Sequence, residues 1–473
     1  MAPLCSRRGS ALFPGRSTSR RGYAWALART APILLLALVL ATPAHAGTRA
    51  TPATGEPLAP LEWWRSVVGA DESDAPGPGK PVTIVDSGLD MTHEEFASRP
   101  DTIALNVQTT SDDEDDHGTE VASVIAAPLN GVGLIGVYPQ AVLRSWDASP
   151  NGAFTASAAV AGIVAAARRG PGVINLSFGG DIPDPSVQRA ILYAFKQGSL
   201  VVASSGNGGG YGNPLSYPAS YPHVLTVAAT TERGAIASFS SESNDVDLAA
   251  PGVRIPVAEP LADDPSGYIT ASGTSFSAPI VSGAAAWIWT VRPELDNTQL
   301  FEILRESAQD VPPEGFDRAS GFGILNIPRA LAQPAPAPDP LEPNDDIDQV
   351  VPNGIVPGGQ PALMSAGRNP LILSARVDRY EDPHDVYRIW VPRARRVTVR
   401  TTGGAVDLRL FPGGARRIGG RPVATSALPG LQPDVVSFLN QGSRGVYVFA
   451  EVRPARSTVR ASYSLTITTS ARR

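Results

Sequence analysis

From Pro81 onward the chain alternates short apolar runs with helical stretches, and this limits the possible folds more than any other feature. The runs at residues 82–85, 142–146, 173–178, 200–204 and 224–228 read as buried strands. Between them lie a helix that begins at His117 and continues through 121–127, an Ala-rich helix over 156–168, and a helix over 186–197. Strands joined through helices form a parallel sheet covered on both faces. A further helix, from Ser275 to about residue 290, is rich in small residues that allow close packing on a sheet.

The alternation stops at residues 333–340, where every second position is proline and an extended, semi-rigid linker is expected. Beyond it, the runs at 397–400, 406–410, 435–439, 446–452 and 463–467 read as short strands between Gly/Pro turns, the pattern of an all-β sandwich. The expected organisation is a signal peptide (1–46), an N-terminal arm (47–80), an α/β domain with a mostly parallel sheet (81–332), the linker (333–346) and the β-sandwich (347–473). In the arm, Leu61-Glu62-Trp63-Trp64 reads as a hydrophobic stretch.

The signal peptide rests on an arginine-rich start, an apolar run over 31–41 and the small-x-small site Ala44-His45-Ala46. That run is shorter than the roughly 20 residues that span a bilayer, so no stable membrane anchor is expected. Ser19-Arg20-Arg21-Gly22-Tyr23 weakly matches a twin-arginine signal, against the plainer reading of an ordinary positive start. The only cysteine, Cys5, lies in this segment, which excludes cysteine catalysis from the mature chain. The net charge of −6 points to no nucleic-acid partner. The implied location is secreted, extracellular or periplasmic.

Three residues carry the chemistry. Ser275, in Gly273-Thr274-Ser275-Phe276-Ser277-Ala278-Pro279, opens a helix where backbone N–H groups favour negative charge. His117, in Asp116-His117-Gly118-Thr119, is the candidate base for its hydroxyl. Asp86, ending an apolar strand before Ser87-Gly88, is the group that would orient the imidazole. Asn207, in Ser205-Gly206-Asn207-Gly208, is a candidate oxyanion donor. Each alone has a plainer reading as a turn, surface or helix-capping residue. An esterase of the α/β-hydrolase type needs Gly-x-Ser-x-Gly, but Ser277 occupies the last position.

These segments resemble the subtilisin-like serine proteases in residues and in the chain order Asp, His, Ser. The resemblance covers roughly residues 60–332 and extends to Val173-Ile174-Asn175-Leu176-Ser177-Phe178-Gly179, Tyr217-Pro218-Ala219 and Gly321-Phe322-Gly323-Ile324-Leu325-Asn326. It implies a three-layer α/β sandwich and an endopeptidase acting on proteins or peptides. It also implies that Asp86, His117 and Ser275 are catalytic, with Asn207 as side-chain oxyanion donor. Substrate backbone would pair as a strand with Ser177-Phe178-Gly179, facing Gly152-Ala153-Phe154. Gly206 and Ser216-Tyr217 resemble the first specificity pocket and carry no charge, so uncharged side chains are expected there.

Several features depart from the family. Glu120 stands where a second histidine is usual, and the loop 129–133 is shorter than the family's calcium-binding version. The span between the cleavage site and the first strand is too short for the usual propeptide. The run Asp112-Asp113-Glu114-Asp115-Asp116 reads as a solvated loop, or as a charge that selects basic residues near the cleavage site or binds a cation; it should also favour protonated His117 and push activity to higher pH. The C-terminal part resembles the bacterial pre-peptidase C-terminal domain in Leu341-Glu342-Pro343-Asn344-Asp345, Asp385-Val386-Tyr387-Arg388-Ile389 and Ser462-Tyr463-Ser464-Leu465-Thr466. The chemistry requires no cofactor. Structural calcium at Asp382, Asp385 and Asp407 competes with a reading of these as solvated loop acids. The alternative to an enzyme is a secreted binding protein on the same scaffold.

Overall fold

A computed structural model describes residues 55–110, 116–150, 152–365 and 370–471. The signal peptide and the acidic residues 112–115 lie outside the described residues. In the arm, α1 (Trp64–Val67) buries Trp64 completely in the main core, so this stretch is packed into the domain.

The first domain is built on seven parallel strands. They are β1 (Val82–Asp86), β2 (Thr102–Ala104), β3 (Leu143–Asp147), β4 (Val173–Leu176), β5 (Leu200–Ser204), β6 (Val224–Thr230) and β7 (Leu248–Pro251), in the spatial order β2-β3-β1-β4-β5-β6-β7. Every residue of β1, β4, β5, β6 and β7 is buried, because helices cover both faces.

On one face pack α2 (His117–Ala126), α5 (Thr274–Val291) and α6 (Asn297–Glu306), against Val82, Ile84, Val173, Leu200 and Val202. On the other, α3 (Ala156–Ala167) and α4 (Pro185–Lys196) pack against Val85, Ile174, Val201 and Ala203. Adjacent strand residues thus feed opposite cores, as a period of two requires. The antiparallel pair β8 (Ile255–Ala258) and β9 (Tyr268–Ala271) leads into α5, and α7 (Ile327–Ala332) closes the domain.

Strand order reverses at β1, which has β3 on one side and β4 on the other. In open α/β sheets, the crevice beyond the carboxyl ends of the strands at such a point is where ligands bind. Asp86 ends β1, Ser177 follows β4, and Asn207 follows β5.

After α8 (Ile347–Val350), the second domain comprises β10 (Leu371–Asp378), β11 (Asp385–Val391), β12 (Arg395–Thr402), β13 (Val406–Pro412), β14 (Ala424–Ser426), β15 (Val435–Leu439), β16 (Val446–Pro454) and β17 (Arg460–Ala471). They form two antiparallel sheets, β10-β17-β12-β15 and β11-β16-β13-β14, packed over a shared core. β10, β11 and β14 are additions to the strands expected from sequence. β11 escapes an alternation test because Ile347 and Val350 of α8 cover its outer face at Val386.

The proline run has no regular structure, but it is not a free spacer. Its carbonyls accept from Arg292 (to Gln333, 2.6 Å), Gln299 (to Pro336, 2.7 Å) and Arg376 (to Ala337, 2.6 Å), anchoring it to both domains.

Candidate active site

Asp86 is 4 % exposed at the end of β1, and its Oδ1 accepts the Ser87 N–H at 2.9 Å. Ser87 Oγ accepts the Gly118 N–H at 3.0 Å. A Cβ on Gly118 would collide with the Gly88 carbonyl, so glycine here lets α2 approach the β1 turn. That approach puts His117 Nδ1 2.8 Å from Asp86 Oδ1. The other oxygen, Oδ2, finds no donor among the described residues.

The His117 side chain is 26 % exposed. Burial opposes its protonation. The charge and hydrogen bond of Asp86, followed by Glu120 and Asp116, outweigh burial and push the imidazole up to about 9. Glu120, 3 % exposed in the first turn of α2, thus acts on the site through charge.

Ser275 is the second residue of α5 and 8 % exposed. Its hydroxyl donates to the Ser177 carbonyl at 3.1 Å, and Ser177 Oγ donates back to the Ser275 carbonyl at 2.9 Å. Pro279 explains the second bond: it has no N–H to give the carbonyl four residues earlier, so Ser177 supplies the donor. Asn175, buried in β4, holds Ser177 Oγ at 2.9 Å and accepts from Ser282 at 2.8 Å. A buried asparagine within an apolar run was the one sequence signal for this network. The phenyl ring of Phe276 lies 5.9 Å from the imidazole of His117, centroid to centroid, beside the first turn of α5.

Asn207 Oδ1 accepts from both the N–H and the hydroxyl of Thr274, each at 3.0 Å. Phe276 N–H is taken by the Gly273 carbonyl at 3.1 Å. Among the first N–H groups of α5, Ser275 N–H is left without an acceptor among the described residues, as helix starts leave orphan donors. Asn207 Nδ2 lies beside Gly273, 3.4 Å from where a Cβ would stand. Gly206 holds φ +98° and donates to Thr274 Oγ1 at 3.2 Å, stitching the end of β5 to α5.

Phe178 is 3 % exposed and packs on Phe154 at 4.3 Å, so it offers the cleft only its main chain. This contact joins the segment containing Gly152 to residues 177–179. A Cβ on Gly179 would collide with Ser216 Oγ, and Gly180 pairs with Tyr217 through two backbone bonds (2.9 and 2.8 Å).

The loop at 129–135 is held by carboxyl groups. Gly131, Leu134 and Ile135 N–H groups donate to Glu56 (2.8 Å), Glu95 (2.8 Å) and Glu62 (3.0 Å). Burial pushes Glu62 and Glu95 up to about 8. The three C-terminal acids do not come together in one place. Asp407 pairs with Arg453 at 3.1 Å, and its strand register puts it on the opposite sheet face from Asp385. Asp385 is fully buried, which rules out a solvated loop acid.

A seven-stranded parallel sheet thus carries Asp86, His117 and Ser275 at its carboxyl edge. Residues 77–323 match the profile of the Subtilase family; the chain belongs to it and is a serine endopeptidase. Subtilisin Savinase of Lederbergia lenta is 33% identical over 255 residues, 54% of this chain and 91% of that protein. Minor extracellular protease Epr of Bacillus subtilis (strain 168) is 32% identical over 245 residues, 52% of this chain and 37% of that protein. In fold, the chain is similar to fervidolysin from Fervidobacterium pennivorans, a keratinolytic enzyme related to subtilisin (TM-score 0.55, 23% identity, 84% of this chain and 63% of that one). It is also similar to the psychrophilic subtilisin-like protease Apa1 from Pseudoalteromonas sp. AS-11 (TM-score 0.51, 20% identity, 57% and 97%). Its substrates are therefore proteins or peptides, and the enzyme class displaces the binding-protein alternative. No helix among the described residues is long and apolar enough to cross a membrane.

Proposed function

We propose that this is a secreted endopeptidase in which Ser275 is the nucleophile, His117 the general base and Asp86 the group that fixes the imidazole tautomer. The observation that carries it is the 2.8 Å Asp86–His117 bond beside the first turn of α5, where Ser275 stands. His117 Nδ1–H donates to Asp86, which leaves Nε2 free to accept a proton. When Ser275 Oγ turns from the Ser177 carbonyl, its proton passes to Nε2 as Oγ bonds to the scissile carbonyl carbon. Ser275 N–H and Asn207 Nδ2 take the oxyanion. Collapse breaks the C–N bond, and the amine leaves with the proton from His117. Water then attacks the acyl-enzyme by the same base and releases the acid.

Substrate backbone adds as a strand to residues 177–179, opposite Gly152, and an uncharged first pocket forms around Gly206 and Ser216. Main-chain pairing gives broad specificity.

The direct test is a fluorophosphonate probe with casein as substrate. Ser275 should be labelled, and Ser275→Ala should abolish both labelling and hydrolysis. A folded, unlabelled wild type would overturn the assignment. Secretion is tested by reading the N-terminus of protein recovered from the culture medium, expected near Gly47.

A further inference from the structure

Charge is divided unequally along this chain. Residues 347–473 hold 18 basic side chains, all arginine, and eight acids, a net +10. Residues 47–346 hold 15 basic and 37 acidic side chains, a net −22. The small overall charge therefore hides a basic sandwich. The acids of the sandwich are also unevenly placed: none occurs in 386–406, 435–450 or 461–473.

Strand direction brings these acid-free stretches to one end. Thr402, ending β12, and Arg460, beginning β17, line the space between the domains, where Arg460 bonds Glu302 of α6. At the far end the register pairs Val391 with Val446 and Arg395 with Ala471. There Asn440, 2 % exposed, ties two turns together. Its N–H donates to the Arg395 carbonyl at 3.0 Å, and its Nδ2 donates to the carbonyls of Val391 at 3.1 Å and Arg444 at 2.7 Å. Arg393, Arg395, Arg396 and Arg444 thus share this end, and all four are exposed. Arg376, Arg409, Arg417, Arg453 and Arg460 take the ion pairs of the sandwich; among the described residues these four take none.

Screening decides which charges they feel. Arg396 stands about 20 Å along β12 from Thr402. That is more than two Debye lengths of about 8 Å each at physiological ionic strength, so the acids of the junction and the peptidase domain do not cancel this end.

Aromatic rings stand beside the arginines. Trp390, the only tryptophan of the sandwich, is half-buried, and its ring lies 4.8 Å from that of Tyr447, which is 41 % exposed. A Cβ on Gly445 would collide with the Trp390 ring, so the turn that carries Arg444 lies directly on it. Met364, 52 % exposed, follows Leu363, whose carbonyl accepts the Trp390 N–H at 2.9 Å. A soluble polyanion would use the charges and leave the rings idle. Lipid headgroups use both: guanidinium groups take phosphates, and Trp and Tyr settle at the boundary between water and hydrocarbon.

We propose that this end of the sandwich docks reversibly on an anionic phospholipid surface. Arg393, Arg395, Arg396 and Arg444 meet the phosphates, with Trp390 and Tyr447 at headgroup depth. Such docking needs no membrane-spanning helix. It leaves the peptidase domain on the solvent side, because that domain joins the opposite end of the sandwich.

The test uses the full chain with Ser275→Ala to prevent self-digestion. In low salt, vesicles of phosphatidylcholine with phosphatidylglycerol should carry the protein down on centrifugation, and vesicles of phosphatidylcholine alone should not. Sodium chloride at about 1 M, where the Debye length is about 3 Å, should release it. Each Arg→Gln change at the four positions should weaken binding about fivefold. Arg393→Gln, Arg396→Gln and Arg444→Gln together should weaken it about 100-fold. Arg453→Gln, at the other end of β16, should leave it unchanged. Brominated phosphatidylcholine in the anionic vesicles should quench tryptophan emission, and Trp390→Phe should remove the quenching. No binding, equal binding to both kinds of vesicle, or undiminished binding of the triple variant overturns the proposal. Binding to dextran sulfate but to neither vesicle overturns the lipid assignment. Quenching that survives Trp390→Phe overturns the place given to the aromatic rings.

Discussion

The sheet edge that carries Asp86 and His117 and the domain junction both bury carboxylates, but they compensate them differently. At the edge, one acid, Asp86, meets one imidazole that is partly open to solvent. At the junction, Arg305 is 3 % exposed and meets Asp247 (3.2 Å), Glu302 (3.2 Å) and Asp378 (2.9 Å), with acids supplied by both domains. A lone pair at a solvent-accessible cleft can change protonation within a reaction cycle. A multiply paired guanidinium cannot, and its place is structural.

Breaking the edge should have the largest effect. Asp86→Asn keeps the geometry but loses control of the tautomer, so kcat should fall about 10⁴-fold with KM little changed. Asn207→Ala should lower kcat about 10²–10³-fold, read with a peptide anilide. If KM moved instead of kcat, Asn207 would be binding the ground state.

At the junction, Arg305→Met should destabilise the protein by about 3–5 kcal/mol, because it strands the buried Asp247 and leaves Glu302 and Asp378 only the more exposed Arg460. Arg453→Gln, at a partly exposed pair with Asp407, should change stability by less than about 1 kcal/mol. Denaturant unfolding of both on the Ser275→Ala background separates the two cases; equal losses would mean that burial of the charges does not set their worth.

The finest test concerns pH. The base must be neutral to take the serine proton, and His117 holds its proton up to about 9. Activity should therefore rise with pH through about 9. Glu120→Gln removes a charge that favours protonation, so the rising limb should move to lower pH and activity at pH 7 should increase a few-fold. A limb that does not move would remove Glu120 from the electrostatics of the site.

Much of this was legible in the chain. The buried apolar runs of β1, β4, β5 and β6 cannot be satisfied except by a sheet covered on both faces, and Asp86, His117, Asn207 and Ser275 each stand at an element end marked by glycine. The sandwich was less legible. β11 lacks alternation because α8 covers it, and β10 begins half-buried at Leu371 and exposed at Ile372. The prolines of residues 333–340 predicted a spacer, and proline does exclude helix there, but no local rule says that Arg292, Gln299 and Arg376 will seize its carbonyls.

By itself, the sequence determined the layers, the order of Asp86, His117 and Ser275 and the class of chemistry, because apolar periodicity and short motifs act over a few residues. Tertiary structure alone decided that Ser177 holds Ser275 and that Glu62 and Glu95 staple the loop at 129–135. Those outcomes depend on groups far apart in the chain, where burial sets the strength of a charge and only the folded packing says which groups are buried together.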